Sequence, residues 1–365
     1  MDLKASVGGL VHWYRDPLSE LTENVGRRCA DRTRKGEVDG NVLGGSHVCL
    51  DHALILSGVR GCTNPDVIAS IRGAHKAGRV LVLYGRVMRI LVTNDDGKDS
   101  IGLHVLARAL VPLGDVVIVA PDSEYSGYGA AFGSFNISRP EVHRFELDGI
   151  AEAWSVTGPP ALCVLLSRLG AFGEPFDLVV AGINPGANVG RSIYHSGTVG
   201  AALTARSGGV SGIAVSQAVR EFGIEGQAWD AMLLDQQWES AGVVGALVAK
   251  EVLRDLPTDP VLINVNVPNL PIDQIKGWRR THVGTSPNRA LFNATLDPII
   301  GHREAYSVTM QWGDVLDLPP ESDGGAIRAD EVSITYLSPI VGIDVPVASF
   351  VETELTGLVG PSRSA

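Results

Sequence analysis

The stretch from Met88 to Gly97 constrains the fold of this chain more than any other, because an apolar run ends there in a polar tetrad. The pattern is typical of a buried strand that runs directly into a tight turn. Open α/β sheets bind ligands just outside the carboxyl ends of such strands. The adjacent carboxylates Asp95 and Asp96 favour a hard divalent cation at that position, since such ions prefer oxygen ligands. An Asx-turn that only ends the strand needs the same residue types, so both interpretations stay open for this pair alone.

The region after Met88 alternates between short apolar runs and segments with helical periodicity. Further strands are predicted at residues 116–120, 153–157, 176–183, 211–216 and 261–267, and helices at residues 100–113, 161–169, 198–207 and 229–253. This alternation predicts an α/β fold, with a mostly parallel sheet covered by helices on both faces. The alternation stops after Pro268, and residues 275–340 are predicted to form a C-terminal antiparallel β extension.

Four regions are predicted from these patterns: an N-terminal extension at residues 1–87, an α/β core at 88–270, the β extension at 271–345 and a loose tail at 346–365. The N-terminal extension holds twelve Lys and Arg against nine Asp and Glu, whereas the rest of the chain holds eighteen against thirty-two. One interpretation of the extension is a regulatory or docking segment. We favour the other, an upstream extension without stable packing of its own that precedes a natural start at Met88.

The overall composition disfavours several classes of protein. The formal net charge of −11 argues against broad nucleic-acid affinity, because the phosphate backbone would be repelled. No apolar run reaches the roughly 18 residues of a membrane span, and the first residues lack the pattern of a secretory signal. The four cysteines form no Cys-x-x-Cys pair, which disfavours a zinc site or a redox motif and favours a reduced, cytoplasmic setting. These features predict neither a nucleic-acid partner nor a membrane partner.

Polar groups occupy three further loops at the same predicted edge of the sheet. Ser126 lies in the loop after the second strand, and Asn184 ends the fourth strand within a glycine-rich segment. Their hydroxyl and amide oxygens suit a hard cation, although an ordinary loop serine and a plain turn would use the same residues. Ser196, Gly197 and Thr198 precede a helix of small residues, and a helix N-terminus binds phosphate through its free N–H groups. Simple N-capping would need the same residue types.

These loops support one another because all of them fall at one edge of the predicted sheet. A metal held by carboxylates, a hydroxyl and an amide, next to a phosphate site, suits phosphomonoester hydrolysis. The sequence contains no Gly-x-x-x-x-Gly-Lys-[Ser/Thr] loop and no Gly-x-Ser-x-Gly elbow, which disfavours a P-loop enzyme and a serine hydrolase. Phosphatases with an aspartyl-phosphate intermediate need a second Asp two positions on, whereas Asp95 and Asp96 are adjacent. A non-catalytic nucleotide-binding regulator on the same fold stays open as the alternative.

Four segments with this spacing resemble the survival protein SurE family: residues 88–97, 119–127, 181–190 and 195–202, with Asn-Val-Asn-Val-Pro at 264–268 as a further match. The resemblance covers residues 88 to 340, and the motifs occur in the family's order. It implies a Rossmann-like fold and a metal-dependent nucleotidase. The family removes phosphate from nucleoside 5'- and 3'-monophosphates, and some members also shorten polyphosphate.

The resemblance also implies the roles of individual residues. The implied metal ligands, which would hold one divalent cation per subunit (Mg²⁺ or Mn²⁺), are Asp95, Asp96, Ser126 and Asn184. The implied phosphate-binding residues are Asn94, Gly186, Asn188, Ser196, Gly197 and Thr198. Beyond the resemblance, we hypothesise that one of the two carboxylates, Asp95 or Asp96, is catalytic and accepts a proton from the attacking water; the sequence does not determine which.

The SurE family exchanges a C-terminal extension between subunits, so residues 271–345 are expected to join a homodimer or a homotetramer. Two features of this chain depart from the family pattern. Leu162 occupies the position of an Asp in the family's Gly-Thr-Pro-x-Asp-Cys-Val segment, a change that leaves the predicted metal ligands intact. The 87 residues before Met88 have no family counterpart.

Overall fold

A computed structural model of the chain describes residues 47–50, 53–56, 87–133, 139–219, 233–285, 289–315, 317–338, 340–342 and 349–360. Most of the predicted N-terminal extension therefore lies outside the described residues. Its described part is a short antiparallel hairpin formed by β1 (His47–Leu50) and β2 (Ala53–Leu56). The first residues of the helix predicted at 229–253 also lie outside. Within the described ranges, no helix is long and apolar enough to cross a membrane.

The other strands and the helices follow the predicted alternation. In chain order, the strands are β3 (Arg89–Thr93), β4 (Asp115–Pro121), β5 (Val142–Arg144), β6 (Glu152–Val156), β7 (Leu178–Pro185), β8 (Ser211–Gln217), β9 (Leu262–Val267), β10 (Gly277–Thr281), β11 (Arg289–Pro298), β12 (Tyr306–Val315) and β13 (Glu331–Tyr336). The helices are α1 (Ile101–Leu110), α2 (Pro160–Arg168), α3 (Gly197–Ser207), α4 (Trp238–Arg254), α5 (Asp323–Arg328) and α6 (Ser349–Val359).

Nine of these strands form one sheet in the order β10-β13-β9-β8-β7-β3-β4-β6-β5. The six central strands, from β9 to β6, are parallel to one another. Antiparallel pairing occurs near the two edges, between β5 and β6 and between β13 and β9. The predicted α/β fold with a mostly parallel sheet is therefore confirmed.

The central strand β3 is buried on both faces of this sheet, because apolar side chains occupy successive positions from Ile90 to Val92. Ile90 and Val92 pack in a cluster with residues of α1 and α4, whereas Leu91 packs with residues of α2 and α3. Successive side chains of a strand point to opposite faces. One short apolar run thus anchors both helical layers, and it fixes the turn that follows it at the edge of the sheet.

The order of the strands reverses at β3. The chain passes from β3 through α1 to β4 on one side, and it later occupies the other side with β7, β8 and β9. The carboxyl ends of β3 and β7 therefore lie side by side at a switch point, where Thr93 pairs with Ala181. Doubly wound sheets bind their ligands in the crevice at such a point.

The region 275–340 differs in part from the antiparallel extension that the sequence predicts. β11 and β12 form a separate antiparallel hairpin, as expected, but β10 and β13 lengthen the main sheet, since β13 pairs with β9. Periodicity reports the pattern of each strand by itself and not its distant partner. α6 also lies within residues 346–365, where the sequence predicts a loose tail. The boundary between core and extension at residue 270 stays a prediction.

Candidate active site

The turn after β3 is held against the loop after β4. Asn94, which is predicted to bind phosphate, is fully buried and closes the turn, because its Nδ2 donates to the carbonyl oxygen of Gly97 at 3.0 Å. The backbone N–H of Tyr125 donates to the carbonyl oxygen of Asp95 at 2.7 Å. Ser126 follows Tyr125 in the sequence, and it is exposed. The structure thus places the predicted hydroxyl ligand beside the turn that carries the two carboxylates.

The carboxylate of Asp95 is buried at the N-terminus of α3. It accepts a hydrogen bond from the hydroxyl of Thr198 at 2.5 Å and another from the backbone N–H of Gly197 at 3.1 Å. Ser196 caps the same helix, since its hydroxyl accepts from the backbone N–H of Val199 at 3.1 Å. The positive end of a helix dipole stabilises a negative charge there. Asp95 is therefore fixed in orientation by the first turn of α3.

The sequence assigns Ser196, Gly197 and Thr198 to phosphate, but in the structure this segment supports Asp95. The packing leaves no room for a side chain at position 197, because a Cβ there would lie 2.8 Å from the Cβ of Asp95. Free N–H groups and hydroxyls at a helix N-terminus suit either anion, so residue types alone do not separate the two roles. A direct contact between these residues and phosphate stays a prediction.

Asp96 has no comparable support. Both of its carboxylate oxygens are buried, and they accept no hydrogen bond from the described residues. Burial, followed by the nearby charges of Asp95 and Glu124, raises the pKa of Asp96 to about 8. Burial also raises the pKa of Asp95, against the opposing effect of its hydrogen bonds from Thr198 and Gly197. Two neighbouring buried carboxylates are costly to ionise together unless a positive charge lies between them.

Asn184 reaches the same edge from β7. Thr93 of β3 pairs with Ala181 of β7, so Asp96 and Asn184 each lie three residues beyond the paired positions. The Nδ2 of Asn184 donates to the carbonyl oxygen of Gly186 at 2.7 Å, which leaves the amide oxygen to act as a ligand. Gly186, one of the predicted phosphate-binding residues, therefore lies in the turn that follows Asn184 and holds its side chain.

Asn188, also predicted to bind substrate, is buried within a polar network. Its Nδ2 donates to the hydroxyl of Ser216 at 2.9 Å, and its backbone carbonyl accepts from the side chains of Asn264 at 2.8 Å and Asn266 at 3.1 Å. Its backbone N–H donates to Oδ1 of Asn266 at 2.7 Å. The network fixes the loop after β7 to β8 and β9. This role is not among those predicted for Asn188, although two asparagines at alternate positions of a buried strand indicate a polar patch on one face.

A residue that the sequence analysis missed is Asp323, which is fully buried at the start of α5. One carboxylate oxygen accepts from the backbone N–H of Gly190 at 2.9 Å, and the other accepts from Gly284 at 3.0 Å and Gly324 at 2.8 Å. Asp323 thus links the loop after β7 to the segment that leads into the β11–β12 hairpin. No local pattern indicates this role, because two of the three partners are distant in sequence.

The loop after β4 also packs against α3. The backbone N–H of Gly129 donates to the carbonyl oxygen of His195 at 3.1 Å. Gly200 permits this approach, because a Cβ there would lie 2.2 Å from the carbonyl oxygen of Gly129. All the predicted loops therefore meet at one edge of the sheet. Among the described residues no three His, Cys, Asp or Glu side chains cluster as a metal site, so a metal here would rely on amide and hydroxyl ligands beside the two carboxylates.

Together the fold and this edge define a doubly wound α/β protein with two adjacent acidic side chains at its switch point. The chain belongs to the SurE family, because residues 90–289 match the family described as Survival protein SurE. The resemblance found in the sequence motifs is thereby confirmed. Leu162, which replaces the family's Asp, is buried in the apolar cluster between α2 and the sheet.

Individual relatives span most of the same region. A protein of Legionella pneumophila subsp. pneumophila named 5'-nucleotidase SurE is 37% identical over 255 residues, which cover 68% of this chain and 90% of the relative. A 5'-nucleotidase SurE of Acinetobacter baumannii is 37% identical over 245 residues, which cover 67% of this chain and 88% of the relative. The crystal structure of the SurE protein from Aquifex aeolicus matches with a TM-score of 0.56 at 29% identity, and the match covers 74% of this chain and 99% of that one.

Proposed function

We propose that this protein is a 5'-nucleotidase that hydrolyses nucleoside 5'-monophosphates with the aid of one divalent cation, Mg²⁺ or Mn²⁺. The observation that carries the proposal is the buried carboxylate of Asp96, whose two oxygens have no hydrogen-bond partner among the described residues. Such a group next to the carboxylate of Asp95 is costly to ionise, and a nearby positive charge offsets that cost. The relatives named 5'-nucleotidase SurE support the choice of substrate.

The residues at this edge fit a hard cation. Asp95, Asp96, Asn184 and Ser126 offer oxygen atoms, which Mg²⁺ and Mn²⁺ prefer to nitrogen or sulfur ligands. When bound, the cation acts as a Lewis acid for the phosphoryl oxygens, and its positive charge compensates the two carboxylates. The cation would also offset the repulsion between a phosphate and a chain of net charge −11.

The chain's own residues would orient the reacting groups and move a proton. Thr198 and Gly197 hold both oxygens of Asp95, so this carboxylate keeps one orientation. Asp96 is better suited to accept the proton of the attacking water, since no donor among the described residues engages its oxygens. On the family resemblance alone, we also propose that the protein hydrolyses 3'-monophosphates and polyphosphate and that it is cytoplasmic.

Removal of the cation is expected to abolish phosphate release. A chelator should lower the rate with nucleoside 5'-monophosphates at least about a hundredfold, because no Lewis acid is then present for the phosphoryl oxygens. Release of inorganic phosphate is measured with the chelator, after re-addition of Mg²⁺ or Mn²⁺, and in a mock-treated control. The same assay with 3'-monophosphates and polyphosphate tests the wider substrate range. Hydrolysis that survives chelation would contradict the metal, whereas nucleotide binding without hydrolysis under every metal condition would favour a regulator.

We also propose that the β11–β12 hairpin packs against a second copy of this chain. On one face of the hairpin the paired residues are apolar: Ala294 with Met310, Leu296 with Val308 and Pro298 with Tyr306. On the other face they are polar: Asn293 with Gln311, Thr295 with Thr309 and Asp297 with Ser307. The apolar face is exposed, with 65% of Leu296 and 60% of Val308 open to solvent. A two-stranded sheet with an uncovered apolar face is unstable by itself and marks an interaction surface.

Replacing Val308 by Lys is expected to convert the oligomer into smaller species. The charge would lie in the centre of the apolar face that the second copy would cover, where it has no partner and is costly to desolvate. Light scattering coupled to size-exclusion chromatography gives the mass. Thr295→Lys places the same charge on the polar face and is expected to leave the mass unchanged. A monomeric wild-type protein, or equal masses for both variants, would contradict this interface.

A further inference from the structure

Two tyrosines, Tyr125 and Tyr128, lie on either side of Ser126 in the loop after β4. Their ring centroids are 5.2 Å apart with an interplanar angle of 72°, which is an edge-to-face contact between aromatic rings. Tyr125 is anchored to the site, because its backbone N–H donates to Asp95 at 2.7 Å and its hydroxyl donates to Asp122 at 3.4 Å. Tyr128 therefore packs against a ring that is itself fixed to the turn with the two carboxylates.

Tyr128 keeps 51% of its surface in solvent, although the ring of Tyr125 and the backbone contact of Gly129 hold it in place. Gly129, the next residue, donates to the carbonyl oxygen of His195 at 3.1 Å, which ties this part of the loop to the segment before α3. A second exposed ring, Tyr194 at 72%, comes from that segment, and its backbone lies against Gly129. Two exposed aromatic side chains thus emerge where the loop after β4 meets the entrance to α3. A fixed but half-exposed ring beside a polar site is well suited to bind a flat ligand.

We propose that Tyr128, with Tyr194 beside it, forms the nucleobase subsite of this enzyme by stacking against the base of the substrate. The inference rests on the proposed function, because it takes the phosphate to lie at Asp95 and Asp96. The nucleoside part of the substrate then extends from these buried carboxylates toward solvent, past the loop that carries Tyr128. Stacking accepts every base, since each base presents a π face.

The subsite predicts a characteristic order of substrates. The affinity from stacking depends on the area of the aromatic surface and not on its pattern of hydrogen-bond donors and acceptors. Purine 5'-monophosphates are therefore expected to bind more tightly than pyrimidine 5'-monophosphates, and both more tightly than a phosphomonoester without a base. A broad specificity for the base follows from the same interaction.

The test compares adenosine 5'-monophosphate with ribose 5-phosphate, which has the same sugar and phosphate but no base. Tyr128→Ala is expected to raise KM for adenosine 5'-monophosphate about tenfold, while KM for ribose 5-phosphate and kcat for both compounds change less than about twofold. Tyr128→Phe keeps the ring and is expected to behave like the wild type. Tyr336→Ala is the matched control, because Tyr336 is equally exposed at 53% but pairs with Ile263 at the opposite edge of the sheet.

An equal change in KM for both compounds would overturn the base subsite while leaving the phosphatase activity in place. If the wild-type protein hydrolyses neither compound, titration calorimetry with adenosine 5'-monophosphate separates the two proposals. Binding that is weakened by Tyr128→Ala and retained by Tyr128→Phe would support the subsite although the proposed activity had failed. Binding that is absent, or unchanged by Tyr128→Ala, would overturn the subsite.

Discussion

Replacing Asp96 by Asn is expected to lower kcat for nucleoside 5'-monophosphates about a thousandfold, which corresponds to about 4 kcal/mol of transition-state stabilisation. The substitution keeps the size of the side chain but removes its negative charge. An amide oxygen is a weaker ligand for a hard cation than a carboxylate, and it cannot accept the proton of the attacking water at neutral pH. Phosphate release at saturating Mn²⁺ and at saturating Mg²⁺ measures the effect.

The same substitution is expected to stabilise the metal-free protein, which separates a functional from a structural role. The pKa of Asp96 rises from about 3.9 in an unfolded chain to about 8 in the native state. The native state therefore binds its proton more tightly than the unfolded state does. Without metal, the contribution of this proton to the free energy of unfolding is fully present below about pH 4. It is lost progressively as the pH rises toward 8, by at most about 1.4 kcal/mol per pH unit. Asn at this position carries no charge and removes this loss.

Thermal unfolding in the presence of a chelator measures this effect. Near pH 8, Asp96→Asn is expected to unfold at a higher temperature than the wild type, and near pH 4 the two proteins should unfold together. Mn²⁺ is expected to stabilise the wild type and to have little effect on the variant. Asp99→Asn is the matched control, because Asp99 lies in the same turn but its side chain is 82% exposed and pairs with Lys98. A lower stability of Asp96→Asn near pH 8, or an unchanged kcat, would contradict the assignment.

The position of this site is predictable from the sequence because local patterns determine most of the strands. β8 is predicted at residues 211–216 and lies at Ser211–Gln217. β3 ends at Thr93, where the apolar run gives way to polar residues, and Asn184 is the penultimate residue of β7. Buried parallel strands are apolar at successive positions, so they are visible without knowledge of their neighbours. Since parallel strands share one carboxyl edge, the turn with Asp95 and the end of β7 with Asn184 are expected at the same edge.

The contacts within the site are not predictable in this way. Thr198 donates to Asp95 across 103 residues of sequence, and a hydroxyl at a helix N-terminus suits a bound phosphate and a buried carboxylate equally well. Asn188 is polar and follows a strand, as a substrate-binding residue would, yet its groups are engaged by β8 and β9. Residue types show which interactions are possible, whereas the pairing of distant segments selects among them.

Replacing Asp323 by Ala is expected to lower the free energy of unfolding by about 3–5 kcal/mol, the largest loss of stability that we predict. The side chain is fully buried and accepts from three backbone N–H groups, those of Gly190, Gly284 and Gly324. Ala would leave all three donors without this partner and would also leave a cavity. Asp323→Asn retains one acceptor oxygen but turns an NH₂ group toward a backbone donor, so an intermediate loss of about 1–3 kcal/mol is expected.

Urea denaturation at a fixed protein concentration measures these losses, with kcat/KM determined on the folded variants under the same conditions. Glu321→Gln is the matched control, because Glu321 precedes the same helix but is exposed, and its replacement should change the stability by less than about 0.5 kcal/mol. The loop that Asp323 holds through Gly190 directly follows the end of β7 that carries Asn184, so kcat/KM of the folded Asp323→Asn variant is expected to fall about tenfold while Glu321→Gln keeps full activity. A stability for Asp323→Ala within about 1 kcal/mol of the wild type would show that other contacts fix this loop. A tenfold fall in kcat/KM with the fold retained would instead mean that this carboxylate, far from Asn184 in sequence, sets the position of the predicted amide ligand.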